Sequence, residues 1–289
     1  MRTFAEHNPI AVAAYFLCAA GVAMFTMDPV ILCLSLLGAL ALFLRRSGWR
    51  GRDHALMLLL FAVTALANPL LSHRGETVLF VLNHNPITLE ATLYGLAAAT
   101  MLLAVLYWFR SFSAIMTSDR LLYLFGALSP RMALILSMAL RYVPLFGHQA
   151  RKTRQTQQAM GLYRDESLVE RWRGELRVFS VMVTWALENG VITADSMAAR
   201  GYGTARRTHF ARFRFTPRDG LLTIFSLLLG GAALLAAAKR NFAFYPAMAA
   251  AEPAMLIYLG YAAYGLLALL PLIIDGKEAL KWRCLHSKI

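Results

Sequence analysis

The chain has 289 residues, 58% of them hydrophobic and only 16% charged, with 29 basic against 16 acidic side chains and a net charge of +13. A soluble domain carries roughly a quarter charged residues, so this composition excludes an ordinary soluble enzyme and points to a polytopic, all-α membrane protein. The basic excess raises the question of nucleic acid, and the positions of the charges answer it below.

Six apolar segments have close to the ~20 residues that a bilayer requires. They lie at about 10–26, 28–44, 53–71, 88–109, 220–238 and 254–274. The first follows Glu6, His7, Asn8 and Pro9 rather than a basic leader, so it is expected to stay as a span. Asp28-Pro29 makes the turn into the second, and Asn68-Pro69 ends or kinks the third. The stretch from Ser72 to Pro86 is polar except for Val78–Leu82, a piece too short to span. Cys18, Cys33 and Cys284 have no metal-ligand or disulfide spacing and read as two buried small hydrophobes and one free thiol.

The basic residues orient these segments. With Arg45, Arg46, Arg50 and Arg52 inside, 26 of the 29 basic side chains fall inside and only Arg74, Lys239 and Arg240 outside. Both termini are therefore expected in the cytoplasm. Attraction to anionic headgroups accounts for the charge, and no nucleic-acid partner is needed.

The chain thus divides into an N-terminal membrane part (1–109), a basic central region (110–219) and a C-terminal membrane part with a basic tail (220–289). The central region holds 17 basic and 8 acidic residues and is too long for a simple loop. Two amphipathic helices are expected in it. One runs from Met132 through Pro144 into the polar stretch Gln149–Gln158. The other runs from about Leu176 to Arg200. Arg141 and Pro144 interrupt the first, and Glu188, Asn189 and Asp195 load the second, so neither suits a span. They are expected along the cytoplasmic face, apolar side toward lipid or a membrane partner. Gly174 and Gly190 read as packing glycines rather than hinges.

No catalytic constellation emerges. There is no Gly-Lys-Ser/Thr phosphate loop, no His-Glu-x-x-His, and the seven histidines are scattered. The span interiors are almost free of ionisable groups, with Glu90 at the start of the fourth and Asp28 in a turn. An ion-coupled carrier usually needs such groups near the midplane, so energy is expected from another subunit.

Several segments together resemble the T component (EcfT/CbiQ family) of energy-coupling factor transporters. They are Asn68-Pro69-Leu70-Leu71-Ser72-His73-Arg74-Gly75-Glu76-Thr77, Asn85-Pro86-Ile87-Thr88-Leu89-Glu90, Met116-Thr117-Ser118-Asp119-Arg120, Leu136-Ser137-Met138-Ala139-Leu140-Arg141-Tyr142-Val143-Pro144 and Ala199-Arg200-Gly201. The resemblance covers the chain from about residue 53. It implies a non-catalytic scaffold in the bacterial cell membrane. Such a scaffold joins two ABC-type ATPase subunits, which bind the ATP, to a small substrate-binding membrane protein, the S component, for vitamin or micronutrient uptake. It also implies two coupling helices, each ending in an Arg-centred motif that docks on an ATPase. Ala199, Arg200 and Gly201 match the second motif. Ala159, Met160 and Gly161 stand at the first, with methionine where the family has arginine, so that arginine's role could pass to a hydrophobic dock or to Arg154, Arg164 or Arg173. This asymmetry suggests two different ATPases. Leu136, Leu140, Val183 and Leu187 would face the S component. The alternatives are a dedicated cobalt or nickel permease of the same family and a membrane-anchored interaction scaffold without transport.

Overall fold

A computed structural model describes residues 4–47, 51–72, 75–82, 85–162, 167–204, 213, 215–240, 242–245 and 255–286. Among these, nine α-helices and one two-stranded hairpin account for most of the chain. They are α1 (Pro9–Phe25), α2 (Pro29–Ser47), α3 (Gly51–Leu71), β1 (Val78–Leu82), β2 (Asn85–Thr88), α4 (Leu89–Ile115), α5 (Ser118–Leu128), α6 (Pro130–Ala159), α7 (Leu168–Ala199), α8 (Pro217–Arg240) and α9 (Met255–His286). The chain divides into two compact units, Met1–Thr117 with Phe213–Ile289, and Ser118–Arg212.

The first unit holds the six apolar helices. Five of them are long and apolar enough to cross a bilayer, and α1, with 17 residues, sits at the short end of the spanning range. The chain is thus a multi-pass, all-α membrane protein. α4 packs on α1, α2 and α3, and α9 packs on α2 and α8, with α8 also against α1. α3 leans on α4 and leaves Leu56, Leu58, Leu59, Val63 and Leu66 exposed, an apolar surface suited to lipid or a membrane partner.

Lipid tails are as apolar as leucine, so close packing and internal hydrogen bonds must hold such helices together. Both are present. A β-carbon on Gly38 would stand 2.7 Å from Ala268 Cβ, so α2 and α9 meet backbone to backbone. Trp108 is fully buried and donates to Ser35 Oγ at 3.0 Å, with Tyr15 and Phe16 edge-on against it. Tyr15 and Tyr264 donate across helices to the carbonyls of Leu267 and Ala19.

Two buried carboxylates tie remote segments. Asp28 accepts from Arg240 Nη1 at 3.1 Å, from the Tyr261 hydroxyl and from the Val30 N–H. Burial pushes its carboxyl above the ordinary range, against the pull of the Val30 N–H and the Arg240 guanidinium. Asp219, fully buried, accepts from the Thr216 N–H and hydroxyl and so closes the first turn of α8, with Pro217 at the first helical position. It also accepts from the Asn8 N–H and lies 2.7 Å from His7 Nδ1, which fastens the start of α8 to the start of α1.

The hairpin was not expected. β1 is the apolar piece Val78–Leu82, and it pairs antiparallel with the polar β2. Glu90 holds it in place, accepting from the Thr77 hydroxyl at 2.6 Å and from the Thr77 N–H. Asn68 Nδ2 donates to the Ala91 carbonyl at 2.9 Å. Glu90 and the Asn68–Glu90 pieces thus form a structural clamp joining α3, the hairpin and α4.

The second unit holds α5, α6 and α7. α5 adds a short helix that the sequence reading did not separate, cut off from α6 by Ser129-Pro130. α7 starts at Leu168 rather than near Leu176, because Ser167 caps it by accepting from the Glu170 N–H at 3.2 Å. Within α7, Gly174 is buried as expected of a packing glycine. Gly190 is exposed, with open space where a β-carbon would go, so it packs against nothing among the described residues.

Candidate coupling site

The two long helices of the second unit run antiparallel. The Tyr142 hydroxyl lies 2.9 Å from Thr193 Oγ1, Phe146 packs edge-on to Trp185, and Arg154 pairs with Glu175. Partners that rise along α6 therefore fall along α7, and the two C-termini lie at opposite ends of the pair. At 1.5 Å per residue, about 27 Å of helix separates Tyr142 from Met160, and about 10 Å separates Thr193 from Arg200.

Both C-termini end in the same turn. After Ala159, the Gly161 N–H donates to the Gln158 carbonyl and the Leu162 N–H to the Gln157 carbonyl. After Ala199, the Gly201 N–H donates to the Ala198 carbonyl and the Tyr202 N–H to the Met197 carbonyl. Each is a Schellman cap, and each requires a left-handed residue at its third position. Gly161 and Gly201 both have φ of 72°, a conformation that side chains other than glycine adopt at a cost. Met160 and Arg200 consequently occupy equivalent cap positions, both exposed, with exposed Ala159 and Ala199 before them. Small residues on both sides leave one side chain projecting from each helix end. At one end it is a planar guanidinium, suited to a carboxylate. At the other it is a flexible thioether with no charge.

Beside the Met160 turn is a cleft of about 430 Å³ lined by Leu162, Glu170, Arg173, Leu176 and Arg177. Arg177 donates to the Leu162 carbonyl and so pins the chain just beyond the cap. This cleft was not anticipated from the sequence; the Ser167-x-x-Glu170 spacing, a capping signal that would have moved the start of α7 to Leu168, went unread.

The four apolar residues assigned to an S component fall on α6 and α7. Leu140, Val183 and Leu187 are exposed and Leu136 is half-buried. Val183 and Leu187 belong to a longer exposed stripe that continues through Leu176, Phe179 and Val191 at helical spacing. Contiguous apolar surface of this length marks a contact with lipid or protein. Among the described residues, no three His, Cys, Asp or Glu side chains gather as a metal site. Arg164, His73 and His84 lie outside the described residues.

The family model described as cobalt transport protein (CbiQ) matches residues 5–210, from the start of α1 to beyond the α7 cap. An energy-coupling factor transporter transmembrane protein EcfT from Brevibacillus brevis (strain 47 / JCM 6285 / NBRC 100599) is 32% identical over 99 residues. That match covers 34% of this chain and 37% of the relative's length. With the six apolar helices and the match across most of the chain, the protein belongs to the CbiQ family of cobalt transport proteins.

Proposed function

We propose that the chain is the T component of an energy-coupling factor importer. In this reading, α6 and α7 transmit the motion of two ABC-type ATPases to a substrate-binding S component. The observation that carries the reading is the pair of matching caps, Ala159-Met160-Gly161 and Ala199-Arg200-Gly201, at opposite ends of one antiparallel helix pair. A force-transmitting subunit needs two separated contact points on a stiff element, one for each moving partner. ATP binding and hydrolysis change the spacing of the partners, the helix pair follows, and the apolar stripe on α7 re-aims the S component in the membrane. The ATPases are two different proteins, because the two cap positions offer different chemistry. The central region then lies on the cytoplasmic side together with both termini.

The family description favours one second reading. A dedicated importer of cobalt or nickel would use the same scaffold, with the cation as cargo bound by another subunit. Purification of the full chain from its native host in mild detergent, with mass spectrometry of what accompanies it, tests both. ABC-type ATPases with several small membrane proteins support the shared scaffold, and one metal-binding membrane protein supports the dedicated form. A chain that purifies alone in several mild detergents would favour a scaffold with no transport role.

The orientation has its own test. Cys284 is exposed near the end of α9. In intact cells a membrane-impermeant maleimide is expected to leave Cys284 unlabelled, and permeabilised cells are expected to label it. Labelling in intact cells would place the C-terminus outside.

A further inference from the structure

We propose that Arg173 supplies at the α6 end the guanidinium that Arg200 supplies at the α7 end, so that the cleft beside Met160 receives an acidic side chain of one ATPase. This rests on the coupling reading above. The α6 cap has the backbone of its α7 counterpart and lacks its charge. Three nearby arginines could replace it. Arg154 is ion-paired with Glu175, and Arg164 lies outside the described residues. Arg173 is exposed, lines the cleft with Leu162, and makes no hydrogen bond or ion pair with another described residue.

The surroundings fix what the cleft would accept. Arg173 and Arg177 stand four residues apart on one face of α7, and Arg177 is held by the Leu162 carbonyl. Among the described residues, two guanidinium groups line this space with one carboxylate, Glu170. Residues 151–177 carry seven basic side chains against four acidic ones, so the net charge at this helix end is positive and favours an anionic visitor. A concave space of about 430 Å³ takes one protruding side chain, and Leu162 and Leu176 give its stem an apolar wall. A flat anionic headgroup surface would not need this concavity. Met160, two-thirds exposed beside the cleft, would then provide apolar contact while Arg173 provides the charge.

The test is the affinity of the full-length chain, in nanodiscs of zwitterionic lipid, for the ABC-type ATPases of its native host. Arg173→Ala is expected to weaken binding at least tenfold, and Arg173→Lys to weaken it less, since the charge stays and the planar fork is lost. In the Arg173→Ala background, Met160→Arg should restore it to within about threefold of the unmodified chain, because the guanidinium returns to the same helix end. A merely structural role for Arg173 gives no such rescue.

Binding within twofold after Arg173→Ala would overturn the proposal. So would failure of the rescue, or a loss seen with Arg164→Ala instead. If Arg173→Ala reduced binding only to anionic vesicles, the cleft would be a lipid site and the proposal would fall. Arg200→Glu separates the two levels. Loss with Arg200→Glu beside a silent Arg173→Ala defeats this inference alone, whereas a silent Arg200→Glu defeats the coupling reading beneath it.

Discussion

Arg200→Glu is expected to weaken docking of an ATPase by more than a hundredfold and to abolish coupled uptake, with the chain still folded. Arg200 is exposed in the isolated chain, and its turn is closed by backbone hydrogen bonds from Gly201 and Tyr202. The substitution therefore leaves the cap in place. Its intramolecular cost is that of an acid at a helix C-terminus, about 0.3–1 kcal/mol. In a desolvated interface, losing one partner of a hydrogen-bonded charge pair costs about 2–5 kcal/mol, and reversing the charge adds repulsion. An effect of 3 kcal/mol is already about a 150-fold change in affinity. The two terms differ enough to be told apart by measuring the unfolding midpoint of the free chain beside the affinity for the ATPases. An unchanged midpoint with lost affinity supports docking through Arg200. Unchanged affinity and uptake contradict it.

Arg240→Leu is expected to destabilise the membrane unit by about 3–5 kcal/mol. Arg240 is the counter-ion of Asp28, whose side chain is nearly inaccessible, and its guanidinium also lies over the rings of Phe242 and Tyr261. Removing it leaves a buried carboxylate without the cation that balances it. In thermal unfolding that loss corresponds to a drop of roughly 6–12 °C. Adding Asp28→Asn should recover most of it, because the buried charge is gone and the amide oxygen still accepts from the Val30 N–H. If the double variant were as unstable as Arg240→Leu, the ring contacts of Arg240 rather than its charge pair would hold this end of the bundle.

The parts of the fold that sequence reading reached are those with local causes. The six apolar helices follow from runs of leucine, alanine and valine bounded by Pro9, Pro29, Asn68-Pro69 and Pro217. The long α6 followed from a continuous apolar-to-polar helix, with Pro144 inside it. Both helix ends were reached through the resemblance, which put Ala159-Met160-Gly161 and Ala199-Arg200-Gly201 at the coupling motifs, and the glycines at 161 and 201 explain why the turns close there. The hairpin was not legible, since β2 reads Asn-Pro-Ile-Thr and owes its strand to pairing with β1 and to the grip of Glu90 on Thr77. α5 was hidden because its apolar residues merge with those of α6 and only Ser129-Pro130 divides them.

The buried polar pairs were out of reach for a different reason. Asp28 and Arg240 are 212 positions apart, as are His7 and Asp219, and nothing local in either segment names the partner. At the coupling site the same limit applied to Arg154, Arg164 and Arg173, which are indistinguishable as a string of arginines. The antiparallel register of α6 and α7 tells Arg154 from Arg173, giving the first to Glu175 and leaving the second beside the cleft, whereas Arg164 lies outside the described residues.

The central claim is that the two cap turns are the contact points for the ATPases. Photo-crosslinking from single positions in the native host tests it most directly, with the reactive side chain placed in turn at Leu162, at Tyr202 and, as a control in the membrane unit, at Leu59 of α3. The account predicts ATPase adducts from 162 and 202, to two different ATPases, and none from 59. A complex that retains its ATPases yet gives no ATPase adduct from either turn would contradict it.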